Sequence, residues 1–398
     1  MHNRLVAIWK QLRAIVAAFM AIWKRGGRDH TDLAEAVVEA IHCGVMLNPA
    51  AYFIHVYKVR VRDDGNGYVG LNASADMTVN ELCARGARAS AIGVADDNAI
   101  DAVLFNERPS HMIIKAFWVR IEKLEALAMR YPSCQFIVCC HSRASFLASE
   151  ARGFERLAQI GRLSQRIPTV RLAANNIEMV HFINDVMRLP CIYLPNLVPL
   201  TPGLPTPKPL LDLTARPLRV GLFCAVRPLK NMPVQAAAAL SYCVKRGCAL
   251  ELYTMSGRYE MGGRAVIAAV REIFACAGEP HRLIEYPWMD HIDFSALVRE
   301  MDVGMQASYT ESHNLVACDF INAGVPVVAS PTITWVPKSW VARDPDSITC
   351  VTAALARCVS WVECGNMQFV YDGRDAIDDR NDAGWDAYLE LAAGARRW

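Results

Sequence analysis

The sequence lacks an excess of either charge. Its 42 lysines and arginines are balanced by 40 aspartates and glutamates, which leaves a formal net charge of +2 at pH 7. A dedicated nucleic-acid-binding chain carries a strong basic surplus, so the overall charge argues against that class and leaves only a local basic patch open. Hydrophobic residues make up 53% of the chain and charged residues 21%, a balance typical of a globular protein with a large core.

A regular cysteine framework is also missing. The fourteen cysteines are scattered, many of them in apolar runs, and no CxxC pair occurs. This distribution favours a reducing, cytoplasmic compartment in which the thiols are buried. Cys134, Cys139, Cys140 and His141 are close in sequence, but adjacent residues of a strand point to opposite faces, so Cys139 and Cys140 cannot easily share an ion. We therefore predict buried strand thiols here and no metal site.

Residues 1–28 lack both an uninterrupted transmembrane run and the small-residue cleavage pattern of a signal peptide. Apolar residues recur at steps of three and four, which predicts an amphipathic helix, and six lysines and arginines precede the first acid, Asp29. Three interpretations remain open: a helix on an anionic membrane surface, a helix that joins two copies as a homodimer, or a helix packed on its own protein. The same basic face could instead follow the phosphates of DNA.

The rest of the chain alternates strand patterns with helix patterns. Such alternation predicts α/β structure with parallel sheets and helices on both faces, and 398 residues suffice for two domains. We predict a first domain over 29–198, a proline-rich linker over 199–217, a second domain over 218–375 and a helix or tail over 376–398. Single helices are expected over 144–163 and 382–395.

The stretch 301–330 has the pattern of strand, loop, helix and strand. Glu311 precedes the helix start, where free backbone N–H groups near residues 313–315 favour an anion such as phosphate. Asp319 follows eight residues later, ~12 Å further along the helix axis. That separation is close to the distance between the sugar and the ribose of a nucleotide-sugar. Taken alone, these residues favour the plainer alternative, an exposed loop Glu and a solvated helical Asp.

Ligands of parallel sheets bind beyond the carboxyl ends of the strands, and three side chains are predicted there. His141 follows a strand of the first half and precedes a helix; a structural histidine is the alternative. Arg227 and Lys230 follow the first strand of the second half. Two cations at that place could hold a diphosphate and stabilise it as a leaving group without a metal, whereas a solvated basic loop is the alternative.

The stretch 301–330 resembles the signature of retaining nucleotide-sugar glycosyltransferases of the GT-B type, family four. The matching residues are Asp302-Val303, Ser308, Glu311, Asp319, Ala323-Gly324, Val325-Pro326-Val327-Val328 and Ser330. A Pro-Asn pair at 195–196 and the basic loop at 227–231 also resemble the family. Two departures are present: the second acid is Asp319 where the family has Glu, and the gap between Arg227 and Lys230 is shorter.

The resemblance implies two Rossmann-like domains that face each other across a cleft, with a last helix that crosses back to the first domain. It further implies transfer of a sugar from a nucleotide-diphosphate sugar with retention of configuration. No DxD motif is placed where a metal-dependent transferase needs one, so no metal and no cofactor beyond the donor substrate are expected.

The family also implies roles for single residues. Arg227 and Lys230 would stabilise the departing diphosphate, Glu311 would orient the donor sugar, and His141 would lie near the reaction centre. The other expected donor contacts are the helix start at Ser312, Asn314 and Leu315, the ribose contact Asp319, the base neighbour Trp288 and the sugar-facing loop glycine Gly67.

The acceptor is not named by the sequence. It could be a glycan or lipid precursor, with residues 1–28 as a peripheral anchor on the inner membrane surface, or a hydroxymethylated DNA base, as in phage-encoded transferases. A third alternative is a GT-B-shaped binding protein without catalysis.

Overall fold

A computed structural model describes residues 48, 50–59 and 69–394 of the chain. The predicted amphipathic helix over 1–28 and the loop that contains Gly67 lie outside the described residues. Their predicted roles therefore stay predictions.

The first half of the described chain forms a six-stranded parallel sheet in the order β2-β1-β3-β4-β5-β6. Its strands are β1 (Tyr52–Lys58), β2 (Arg88–Val94), β3 (His111–Lys115), β4 (Gln135–Cys140), β5 (Val170–Ala174) and β6 (Cys191–Tyr193). Its helices are α1 (Val69–Ala84), α2 (Ile100–Glu107), α3 (Ile121–Arg130), α4 (Ala144–Ser149), α5 (Gly153–Arg166) and α6 (Ile177–His181), which continues as a π-helical turn over Phe182–Val186.

The second half forms a five-stranded parallel sheet in the order β11-β10-β7-β8-β9. Its strands are β7 (Leu218–Leu222), β8 (Leu250–Met255), β9 (Arg282–Tyr286), β10 (Val303–Gln306) and β11 (Val327–Ala329). Its helices are α7 (Met232–Arg246), α8 (Gly263–Ala277), α9 (His291–Arg299), α10 (Leu315–Asn322), α11 (Ile348–Glu363) and α12 (Gln368–Ala393), with short 3₁₀ turns at Pro228–Lys230 and Lys338–Trp340. The predicted pair of parallel α/β domains is thus confirmed.

The central strands are apolar because both of their faces are covered. All five residues of β3 are buried, and one face packs against helices α2, α3 and α5 while the other contacts Tyr388 and Leu391 of α12. A strand that is buried on both faces needs apolar residues at every position. The sequences of these strands are therefore continuous apolar runs and do not alternate with polar residues.

Helix α12 packs on both domains. Its first half places Val370 and Ile377 in the core of the second domain, and its second half places Tyr388 and Leu391 on the first sheet. It runs without a break across position 375. Among the described helices, none by itself is long and apolar enough to cross a membrane; α11 and α12 meet that criterion only as a pair bent by 115°.

Two predicted helices differ from the observed ones. The helix expected over 144–163 is split, because Arg152 adopts a left-handed φ of 68° and Gly153 lies against the carbonyl of Leu147. The helix expected from residue 382 begins at Gln368 instead. The part of the helix before residue 382 buries polar residues such as Arg380 and Asn381, which interrupt the apolar pattern of the sequence.

Candidate functional site

The carboxyl edges of the two sheets face each other and are joined by direct hydrogen bonds. Ser312, in the loop after β10, donates from Oγ to the carbonyl oxygen of His141, the residue after β4, at 2.7 Å. Asn176, just past β5, donates to the carbonyl of Ser312 at 3.4 Å. The cleft predicted between the domains therefore lies where both sheets present the loops that follow their strands.

Lys230 and Glu311 form an ion pair inside this cleft. The Lys230 ammonium lies 2.5 Å from Oε1 of Glu311, and the two side chains are only 12% and 7% exposed. Lys230 ends the 3₁₀ turn after β7, and a backbone hydrogen bond from Tyr309 to Leu229 holds that turn against the loop carrying Glu311. Asn231 fixes the turn further by donating to the carbonyl of Ala307 at 3.0 Å.

Arg227 belongs to a second charged group at the same edge. Its Nη1 lies 2.7 Å from Glu260, and Arg258 contacts the other oxygen of that carboxylate at 2.6 Å. Burial acts to raise the pKa of Glu260, but the two guanidinium groups outweigh it and lower that pKa below its usual range. Trp288, expected beside a nucleotide base, has the Arg258 guanidinium 5.1 Å from its ring centroid. Trp288 is thus connected to Arg227 through Arg258 and Glu260.

The start of α10 is capped by its own side chain. Asn314 has a φ of 68°, and its Oδ1 accepts a hydrogen bond from the backbone N–H of Ala317. Its Nδ2 donates to Gln306 at 2.9 Å. The side chains of Ser312 and Asn314 therefore both bond to protein partners. Leu315 opens the helix, so a ligand here would meet backbone amides.

Asp319 forms a hydrogen-bonded pair with His291. Their Oδ1 and Nε2 atoms are 2.8 Å apart, with Asp319 9% and His291 57% exposed at the side chain. Burial raises the pKa of Asp319, and the hydrogen bond to the carboxylate raises the pKa of His291. Asp319, the residue expected to contact the ribose, is thus paired with an exposed polar side chain.

His141 has one ring nitrogen near a polar partner and one that is buried without a described partner. Its Nδ1 lies 3.3 Å from Nδ2 of Asn175, whereas its Nε2 has no partner among the described residues. Burial of the ring and the nearby Lys115 ammonium hold the pKa of His141 well below its usual range. The imidazole is therefore neutral at pH 7.

The structure brings most of the sequence-predicted residues to one cleft. Lys230, Glu311, Ser312 and His141 are directly connected, and the remaining described candidates lie on the loops and the helix around them: Arg227, Trp288, Asn314, Leu315 and Asp319. Over 48, 50–59 and 69–394, no three His, Cys, Asp or Glu side chains are grouped so as to hold a metal ion.

Three polar residues at this site were not predicted from the sequence. Asn175 follows β5 just as His141 follows β4, so its place after a buried strand was a usable signal. Glu260 and His291 gave no comparable signal, because they reach the site only through the packing of loops that are distant in sequence.

No protein-family model matches this chain, and no curated protein matches it by sequence. Solved structures do match it by fold. Sucrose-phosphate synthase from Thermosynechococcus elongatus aligns over 86% of this chain and 99% of its own, with 14% identity and a TM-score of 0.62. Trehalose-6-phosphate synthase OtsA aligns over 86% and 99%, with 11% identity and a TM-score of 0.61. A UDP-forming trehalose-phosphate synthase from Burkholderia xenovorans aligns over 87% and 99%, with 12% identity and a TM-score of 0.56.

These likenesses extend over nearly the whole length of the synthases. At such low identity they establish architecture alone, and that architecture agrees with the two facing parallel-sheet domains described above. The chain therefore has the two-domain GT-B fold of these synthases.

Proposed function

We propose that this protein transfers a sugar from a nucleotide-diphosphate sugar to an acceptor hydroxyl, with retention of configuration and without a metal ion. The observation that carries the proposal is the buried pair of Lys230 and Glu311, placed at the carboxyl edge of the second sheet and opposite His141. A cation and a carboxylate held side by side in a domain cleft suit a ligand that is anionic at one end and rich in hydroxyls at the other.

Donor binding would exchange ion-pair partners. Lys230 and Arg227 each contact a carboxylate, Glu311 and Glu260 respectively. A diphosphate that enters between them offers stronger anionic oxygens, so Lys230 would turn to phosphate and release Glu311 to accept hydrogen bonds from sugar hydroxyls. The cations are thus held in place before the donor arrives, which lowers the reorganisation needed for catalysis.

The reaction breaks the bond between the anomeric carbon and the diphosphate oxygen and forms a bond to the acceptor oxygen. The departing diphosphate gains negative charge, which Lys230 and Arg227 are placed to stabilise together with the amides at the start of α10. The proton of the acceptor hydroxyl would pass to an oxygen of the departing diphosphate as the new bond forms. His141, neutral and with a buried Nε2 that has no partner among the described residues, would hydrogen-bond the sugar near this centre.

The first donor to test follows from the structural neighbours. One structure of the E. coli trehalose enzyme contains UDP-2-fluoro glucose, and the synthase from Burkholderia xenovorans was solved with glucose-6-phosphate. We therefore expect uridine diphosphate glucose to be a suitable starting probe, with other nucleotide-sugars beside it.

The test is a turnover assay with candidate donors in the presence of EDTA, followed by NMR of the anomeric proton. Hydrolysis or transfer that persists in EDTA and gives a product with the donor's anomeric configuration supports the proposal. An inverted product, or turnover that requires a divalent ion, contradicts it. Lipid, glycan and hydroxymethylated-DNA acceptors belong in the same assay, since they distinguish the acceptor classes left open above.

A further inference from the structure

A contact across the cleft joins Arg227 to an aromatic ring of the first domain. The guanidinium carbon of Arg227 lies over the ring of Phe146, 5.0 Å from its centroid. Arg227 follows β7 of the second sheet, whereas Phe146 is in α4, which follows β4 of the first sheet. A cation within about 6 Å of an aromatic centroid is attracted by the negative face of the ring. The opposite domain therefore contributes to holding a cation that is proposed to stabilise the diphosphate.

Phe146 is not held by the core of its own domain. Helix α4 has six residues, and Leu147 is its only buried one. Phe146 is half-buried, and in the described part of the chain it does not belong to the side chains that form or pack on the apolar cores. The ring therefore points away from the first-domain core and contacts Arg227 instead.

Hydrogen bonds between the domains bring α4 to this place. Arg143, the residue before α4, donates from Nη1 to the carbonyl of Thr332 in the second domain at 3.1 Å. The bond from Ser312 to the carbonyl of His141 holds the same loop two residues earlier. Both bonds cross the cleft, so the ring reaches the guanidinium only while the two domains are together.

The ring contact leaves an N–H group of Arg227 available. Nη1 pairs with Glu260 at 2.7 Å, and Nε is buried without a partner among the described residues. Contact with the ring uses no N–H group, so Nε can still donate to a phosphate oxygen. The ring also covers a side chain that is only 18% exposed, and a charge acts more strongly on a developing charge where water is excluded.

We propose that Phe146 is a positioning residue, which fixes Arg227 against the departing diphosphate once the two domains are together. The inference rests on the proposed glycosyl transfer and adds a first-domain residue to a charge contact assigned so far to the second domain. Donor binding should depend little on Phe146, because Glu260 holds Arg227 within the second domain. The chemical step should depend on it more, because transfer requires both domains.

The first measurement is steady-state donor turnover, as hydrolysis or transfer, with uridine diphosphate glucose and other nucleotide-sugars. Phe146→Leu should lower kcat about fivefold and change the donor KM less than about twofold, the loss expected of one desolvated cation–π contact. Phe146→Tyr keeps an aromatic face and should have a kcat within about twofold of the wild type. Equal kcat in Phe146→Leu and wild type overturns the proposal, as does a Phe146→Tyr variant as slow as Phe146→Leu.

A double-mutant cycle shows whether the effect passes through Arg227. In Arg227→Met, the further change Phe146→Leu should alter the residual kcat less than about twofold, because the cation that the ring positions is gone. A further loss of the same size as in the wild type overturns the proposal. Phe154→Leu is the matched control, because Phe154 is also half-buried but its ring partner, Phe182 at 6.1 Å, lies in the same domain. It should lower the melting temperature and keep the wild-type kcat.

Urea denaturation without ligand separates this inference from the proposed function. Phe146→Leu should lower the unfolding midpoint more in the wild type than in Arg227→Met, since the contact exists without a donor. Equal shifts on the two backgrounds overturn the inference whether or not the protein turns over a sugar. Unequal shifts without turnover of any donor would overturn glycosyl transfer, and the positioning role with it, and retain the contact. If Arg227→Met does not fold, the comparison of Phe146→Leu with Phe146→Tyr still decides.

Discussion

Gly263, the first residue of α8, lies directly against the backbone of Val226. A Cβ atom at Gly263 would come within 2.0 Å of the Val226 carbonyl oxygen, closer than any real contact, and Arg227 follows immediately. The position of Arg227, which is proposed to bind the diphosphate, therefore depends on the absence of a side chain at Gly263.

We predict that Gly263→Ala lowers donor affinity about tenfold. The added methyl group forces the loop that carries Arg227 to move, and moving a binding group away from its ligand weakens binding. The strain should also lower the free energy of unfolding by about 1–3 kcal/mol. Isothermal titration with a nucleotide-sugar and chemical denaturation measure the two effects.

Gly278→Ala is the control at the other end of the same helix. Gly278 has a φ of 64° and no neighbour within 4 Å of an added Cβ, so alanine there strains the backbone without displacing the loop. It should lose stability and keep donor affinity. Equal donor affinity in Gly263→Ala and wild type would show that Arg227 does not depend on this contact.

Lys230→Met should lower both stability and activity. It leaves the Glu311 carboxylate buried without its partner, which costs about 3 kcal/mol of unfolding free energy. The double variant Lys230→Met with Glu311→Leu removes both charges and should recover most of that stability, while donor turnover stays lower by about 100-fold or more. A double variant that recovers turnover as well would remove this pair from the mechanism.

Asp319→Ala should weaken nucleotide binding only when the ribose carries its hydroxyls. The wild type should bind uridine diphosphate about tenfold more tightly than the 2′-deoxy analogue, and Asp319→Ala should bind both with the same affinity. His291→Ala is the companion variant, because it removes the present partner of Asp319 without removing the carboxylate. If Asp319→Ala weakens both nucleotides equally, Asp319 supports the fold rather than the ribose.

Stability should fall as the pH drops below about 6.5, the ordinary pKa of an unfolded histidine. Burial lowers the folded-state pKa of His55 well below that value, so the unfolded chain binds the proton more readily and acid favours unfolding. For His55 alone the loss between pH 7.5 and 5.5 is about 1.4 kcal/mol.

The measurement is urea denaturation at the two pH values for wild type and His55→Gln, which keeps a partner for the Tyr388 hydroxyl. The wild type should lose about 1.4 kcal/mol more than the variant over this interval. A loss of equal size in the two proteins would show that His55 is not held neutral by burial.

The sequence was sufficient for the fold because the pattern that specifies it is local. Alternating strand and helix signals, with buried strands such as β3 and β4 as continuous apolar runs, require parallel sheets. The same logic placed His141, Arg227 and Lys230 beyond strand ends, where the structure has them.

The contacts that could not be predicted from the sequence join residues that are far apart in the chain. Glu260 reaches Arg227 only through the loop before α8, and Arg380 reaches the cleft only because α12 crosses between the domains. In the sequence, a cation that is buried in the middle of a helix cannot be distinguished from one that faces solvent. The spacing of residues along the chain therefore predicts neither of these two contacts.

The most direct test of the proposed function is a thermal-shift titration with nucleotide-sugars on wild type, Lys230→Ala and Glu311→Ala. A ligand that binds the native state raises the melting temperature through the term RT ln(1 + [L]/Kd). The proposal predicts a clear rise with at least one donor in the wild type and its loss in both variants. No rise with any donor, or a rise that survives both substitutions, would contradict the assignment of this cleft to a nucleotide-sugar.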